Sequence, residues 1–255
     1  MEYGRKKPEI DMEIGSFIGL DLKDSGEYYS GINKIARLNS ARAGIYHACK
    51  LYDCNAIHIP YYLCSTVKTF LIRHGVQIKS YFINDRFEPL NIQQKKDEAV
   101  LLVNYFGILS IHQLEKIVRK YRNIIIDNSA AFYCQPFDGC YSVYSARKFF
   151  GVPDGCYVIG NRAIEFTRGY KKDFSSETSS FLLKRIEFSL NKTYAERMKN
   201  EERINNSGIL QMSKLTRHLL SNIDYFYIKE KRQNNFHFAH GLFCKINKFN
   251  PTRFI

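Results

Sequence analysis

Four short apolar runs between residues 56 and 127 limit what this chain can fold into. They are Ala56-Ile57-His58-Ile59-Pro60, the alternating stretch from Val76 to Ile83, Ala99-Val100-Leu101-Leu102-Val103 and Ile124-Ile125-Ile126-Asp127. Between the first two, Ser65 to His74 places Val67, Phe70 and Leu71 at helical spacing, with Gly75 where a helix C-cap belongs. Between the last two, Ser110 to Tyr121 puts Ile111, Leu114, Ile117 and Val118 on one helical face. A further helix, from Asn39 to Tyr52 with Asn39 or Ser40 as N-cap, precedes the first run. Strands that read as continuous apolar segments, separated by helices, form a mostly parallel sheet covered on both faces. With β-like stretches at Cys140 to Tyr144 and Cys156 to Ile159, residues 39–160 read as an α/β core.

Beyond residue 160 the texture becomes polar and basic, with helical patterns at Phe181 to Phe188, Tyr194 to Asn205 and Leu210 to Leu220. Of the net charge of +13, residues 161–255 carry +9, from 18 basic and 9 acidic side chains. Such an excess favours anionic partners. Nucleic acid is the weakest of these: the 18 Tyr and 19 Phe fall mostly within apolar runs, and no helix-turn-helix, zinc-finger or RRM pattern occurs. Seven scattered Cys lack zinc-site spacing, so no metal is expected and a reducing, cytoplasmic setting fits. The opening Met-Glu-Tyr-Gly-Arg-Lys-Lys-Pro has no signal-peptide core, and no run is long enough to span a membrane.

In open parallel sheets, ligands gather at the carboxyl ends of the strands. Asp127 ends an isoleucine run there, where a carboxylate needs a cation or a hydrogen-bond donor, or else caps the next turn. Lys148, in Ser145-Ala146-Arg147-Lys148 ahead of two phenylalanines, occupies a position where desolvation, with repulsion from Arg147, would suit an amine nucleophile; a solvated basic pair is the plainer reading. Ser40-Ala41-Arg42 opens a helix and offers free N–H groups to a phosphate. In this order, the three features meet the needs of pyridoxal phosphate: a phosphate to anchor, a pyridine nitrogen to keep protonated and an aldehyde to hold.

At these segments the chain resembles fold-type I aminotransferases, and within them the DegT/DnrJ/EryC1/StrS sugar aminotransferases. The likeness rests on Leu38-Asn39-Ser40-Ala41-Arg42-Ala43-Gly44, Ile59-Pro60-Tyr61-Tyr62-Leu63-Cys64, Val103-Asn104-Tyr105-Phe106-Gly107, Ile126-Asp127-Asn128-Ser129-Ala130 and Ser145-Ala146-Arg147-Lys148 with its Gly151-Val152-Pro153-Asp154-Gly155 sequel. It implies that Lys148 forms the internal aldimine, Asp127 pairs with the pyridinium nitrogen, and Ser145 holds the cofactor phosphate with the N–H groups of Ala41 and Arg42 beside Ser40. Asn104 belongs to the same cofactor set. Ala130 stands where the family often has His or Gln near the ring oxygen. Either Tyr62 or Cys64 takes the ring-stacking position.

The resemblance further implies a homodimer that moves an amino group from a donor such as glutamate to a keto-sugar nucleotide, in polysaccharide or amino-sugar biosynthesis. It divides the chain into a cofactor-binding large domain at 1–222 and the beginning of a C-terminal domain at 223–255, shortened relative to the family. A protein that keeps this fold with impaired turnover, as a pseudoenzyme or partner subunit, is the alternative expectation.

Overall fold

The computed structural model describes residues 19–247, so the opening basic stretch and the last eight residues of the expected second domain lie outside the described residues. The elements are β1 (Ile35–Leu38), α1 (Ala41–Leu51), β2 (Ala56–Pro60), α2 (Ser65–Arg73), β3 (Gln77–Ile83), β4 (Pro89–Leu90), β5 (Glu98–Val103), α3 (Ile111–Lys120), β6 (Ile124–Asp127), β7 (Tyr141–Ser145) and β8 (Cys156–Ile159), followed by α4 (Ser180–Glu187), α5 (Leu190–Asn206), α6 (Lys214–Ser221) and α7 (Tyr225–Phe243). The eight strands form one sheet in the order β1-β8-β7-β6-β5-β2-β3-β4. Its centre is parallel, β8 runs antiparallel to both β1 and β7, and β4 is an antiparallel edge. The chain is therefore mixed α/β with a mostly parallel sheet.

The strand period of two sorts side chains to both faces. On β5, Ala99, Leu101 and Val103 join Ile45 and Ala48 of α1 and Leu71 of α2, whereas Val100 and Leu102 face Leu114 and Ile117 of α3. At the β7–β8–β1 end, Tyr144, Tyr157 and Ile35 of the second face pack with Phe132 and with Leu220 of α6. α1 lies so close to the sheet that a Cβ on Gly44 would fall 2.7 Å from the Cys156 sulfur and 3.0 Å from Val143 and Val158. The close approach explains a glycine in the middle of a helix, where it otherwise costs stability.

Several sequence expectations are refined. Ser40, not Asn39, caps α1, accepting from the Ala43 N–H at 3.4 Å. Asn39 is fully buried and acts as a clasp: its amide donates to Ser207 and the Gly208 carbonyl and accepts from the Leu210 N–H. Ser110 and Gln113 close a capping box on α3, which leaves Ile111 at the first turn exposed. β1 and α7 were not anticipated, residues 161–179 ahead of the expected helices hold turns and short 3-10 segments, and the helix expected from Leu210 begins at Lys214. Among the described residues no helix is long and apolar enough to cross a membrane.

Candidate active site

Register sets the geometry of the site. Asp127 of β6 lies opposite Val103 of β5 and Val143 of β7, while Ser145 of β7 and Leu38 of β1 both lie opposite Cys156 of β8. The carboxyl ends of β1, β2, β5, β6 and β7 consequently share one edge, where Ser40, Tyr62, Asn104, Asp127 and Ser145–Lys148 emerge. Two backbone bonds cross the gap left by antiparallel β8: Gly155 N–H donates to the Asn39 carbonyl (2.9 Å), and Ala146 N–H donates to the Gly155 carbonyl (3.1 Å). Gly155 does this with φ at +118°, which disfavours any side chain there. The Ser40 turn and the Ser145 turn are thus held side by side.

Asp127 is buried, and its Oδ1 accepts from the Ser129 N–H at 2.8 Å. It caps the turn that follows, while Oδ2 has no partner among the described residues. The Ser129 hydroxyl beside it is buried and unpaired. Below the carboxylate, Asn104 donates to Asn128 Oδ1 (2.9 Å) and accepts from the Leu109 N–H, and its own N–H reaches the Asp127 carbonyl (3.0 Å). Asn104 therefore locks the β5 and β6 loops together. Ala130 is half-buried in the same turn and brings no polar group.

Lys148 is exposed, in contrast to the desolvated position expected from its phenylalanine neighbours. Phe150 turns into the core with Phe132, and Arg147 is ion-paired with Glu201 of α5, so it is not a bare charge beside the lysine. Among the described residues the Lys148 amine makes no hydrogen bond or ion pair. Its carbonyl accepts from Arg232 of α7 at 3.3 Å, and that guanidinium stacks 4.3 Å above the Phe149 ring.

Cys64 is the exposed N-cap of α2. The Thr66 hydroxyl draws its thiol below the ordinary value, burial opposes, and the Lys148 and Arg42 charges add to the lowering, which places all three groups within electrostatic reach. Tyr62 is exposed, with its ring stacked on Tyr105 at 5.3 Å and its carbonyl accepting from the Tyr105 hydroxyl at 2.5 Å. Burial, and then the Asp127 charge, push the Tyr105 hydroxyl far up, so it remains a donor.

The donor set suits a phosphorylated, carbonyl-bearing heteroaromatic ring such as pyridoxal phosphate. The Ala41 and Arg42 N–H groups and the Ser145 hydroxyl have no partner among the described residues and flank the same strand start, Asp127 keeps one oxygen unused, and Lys148 keeps its amine. Tyr105 and Asn128 lie within the quoted segments but had no role assigned to them, and sequence spacing gave no sign of Glu201 or Asn205, which brace Arg147 and Arg42 from α5. A cavity of about 840 Å³ lies at the opposite sheet edge, lined by Lys34, Tyr52, Phe137, Tyr141 and Arg162 among others, and contains none of the expected site residues.

No protein-family model matches the sequence, and no curated protein matches it. Solved structures do. An aspartate aminotransferase from Thermotoga maritima matches at 15% identity and TM-score 0.48, covering 83% of this chain and 57% of that one. A histidinol-phosphate aminotransferase from Clostridium acetobutylicum matches at 17% and 0.47, covering 77% and 56%. The sugar aminotransferase CalS13 from Micromonospora echinospora matches at 15% and 0.44, covering 57% and 48%. The chain spans about half the length of these structures.

Proposed function

We propose that this chain is the cofactor-binding part of a fold-type I, pyridoxal phosphate-dependent aminotransferase. The supporting observation is that an unpartnered amine, an unused carboxylate oxygen and an unpartnered phosphate-type donor set meet at one sheet edge, on residues that also carry the sequence resemblance. When bound, the cofactor supplies an electron sink for amino-group transfer. Asp127 Oδ2 would hold a protonated ring nitrogen, with the Asn104–Asn128 clasp keeping its strand end in place. The Ser145 hydroxyl and the Ala41 and Arg42 N–H groups would hold the phosphate at the positive end of α1. Lys148 Nζ would anchor the group and later move a proton at that same nitrogen, a role that its exposure allows. Either Tyr62 or Cys64 would take the ring-stacking position.

As substrates we propose an amino donor, glutamate by resemblance, and a keto-sugar nucleotide whose diphosphate the basic later part of the chain would attract. Residues 1–222 would form the large domain, and α7 would lead into a second one, in a cytoplasmic homodimer. Titration of the full chain with pyridoxal phosphate is expected to produce a visible absorbance band that Lys148→Ala abolishes. An unchanged band in that variant would overturn the assignment.

A further inference from the structure

A second anion site can be read from charge accounting around Arg42, independently of the function proposed above. Three partly buried arginines each have a carboxylate: Arg37 with Glu27, Arg147 with Glu201 and Arg203 with Asp173. Arg42 is 9% exposed and has none in contact among the described residues. Its Nη1 donates to Asn205 Oδ1 at 2.6 Å, and Arg73 Nη1 donates to the carbonyl of the same Asn205 at 3.1 Å. One neutral residue at the end of α5 therefore serves two cations. Burial first, and then the Arg147 charge, draw the Arg42 guanidinium down, with Arg73 adding to this; Glu201 opposes but is already held by Arg147. A buried cation without an opposite charge is costly.

These groups surround a cavity of about 120 Å³ between α1 and α2, lined by Arg42, Ser65, Thr66, Thr69, Arg73 and Asn205, with the Phe70 ring as its one apolar wall. Thr66, Thr69 and Arg73 recur at the spacing of a single helix face; the Thr66 hydroxyl is engaged with the Cys64 thiol at 3.1 Å, which leaves the Thr69 hydroxyl and the Arg73 guanidinium of α2 on the wall shared with Arg42. The volume is well below that of sites for whole cofactors or drug-sized ligands. It suits one compact group that accepts several charge-assisted hydrogen bonds, for which guanidinium forks are well shaped. We propose that the α1–α2–α5 junction binds a phosphoryl oxyanion through Arg42, Arg73 and the Thr69 hydroxyl, separately from the Ser40–Ser145 turn at the sheet edge.

The test is calorimetric titration of the full chain with inorganic phosphate at constant ionic strength, with chloride as the balancing salt. Arg73→Gln removes an exposed cation without disturbing the core, and Arg119→Gln, on the outside of α3 and 83% exposed, controls for general electrostatics. Saturable binding that Arg73→Gln weakens roughly tenfold or more and Arg119→Gln leaves intact is expected. A sugar phosphate monoester binding more tightly than inorganic phosphate would identify the source as the head group of a larger ligand, and equal binding would identify free phosphate; both support the site. It is overturned by no saturable binding, by equal affinity in Arg73→Gln, or by pyridoxal phosphate displacing the bound phosphate one for one, since that would make it the cofactor's own phosphate pocket.

Discussion

Glu98 opens β5 and Asp127 closes β6, so two buried carboxylates stand at opposite edges of one sheet. Their surroundings differ in kind. Glu98 is saturated: Lys79 pairs with one oxygen, while His58 (2.7 Å) and the Lys95 N–H (3.0 Å) share the other. Burial pushes its carboxyl up, but Lys79, Lys95 and His58 outweigh burial and hold it down at about 2. Asp154 is a second saturated case, fully buried and accepting from the Ser213 N–H, the Ser213 hydroxyl and the Thr216 hydroxyl at the start of α6. Asp127 accepts one backbone N–H and keeps an oxygen unused. A carboxylate whose lone pairs are all taken holds the fold together, whereas one left partly open where several loops converge is available to a ligand.

The contrast can be broken first at Glu98. Glu98→Gln strands Lys79 against a neutral amide and is expected to cost about 3–5 kcal/mol, read from urea unfolding. A loss below about 1 kcal/mol would remove the structural role given to Glu98, judged against the usual scale of point substitutions. The acid limb sharpens the same point. Because the folded value of Glu98 lies below its ordinary 4.5, its contribution is present above that pH and is lost as pH falls toward about 2. Unfolding midpoints measured down this range should therefore drop more steeply in the parent chain than in Glu98→Gln.

Asp154→Ala is expected to destabilise by about 1–3 kcal/mol, because the Ser213 and Thr216 donors lose a buried acceptor; thermal unfolding would show it. The smallest stability change is expected at Asp127. Asp127→Asn keeps an acceptor for the Ser129 N–H and should alter stability by less than about 1 kcal/mol, while pyridoxal phosphate affinity falls about tenfold or more. Equal losses of stability at Asp127 and Glu98 would erase the distinction between them.

The sequence made much of the sheet legible because buried parallel strands advertise themselves as apolar runs, and α2 and α3 because their apolar residues share a face. β1 escaped notice because Ile35-Ala36-Arg37-Leu38 carries a charge in the middle, which Glu27 neutralises from ten residues earlier in the chain. α7 escaped because it has no buried residue and hence no apolar stripe to read. Within the candidate site, chain order alone singled out Asp127, Ser145 and Lys148, which strand register brings to one sheet edge. The buried state of Arg42 was not legible, since Asn205 lies 163 positions away. Nor was the exposure of Lys148, which depends on Phe150 turning inward to Phe132 while Phe149 takes the stacking Arg232.

Antiparallel β8 also has a consequence for the order of folding. The β2–α2–β3 and β5–α3–β6 units close over short crossovers, but β1 meets β8 only across more than a hundred residues of chain. Pairings that distant pay their loop-closure entropy late. Until β8 inserts, the Ser40 and Ser145 turns belong to separate pieces of chain, so a nascent chain should bring these two turns side by side only after the bulk of the sheet has assembled.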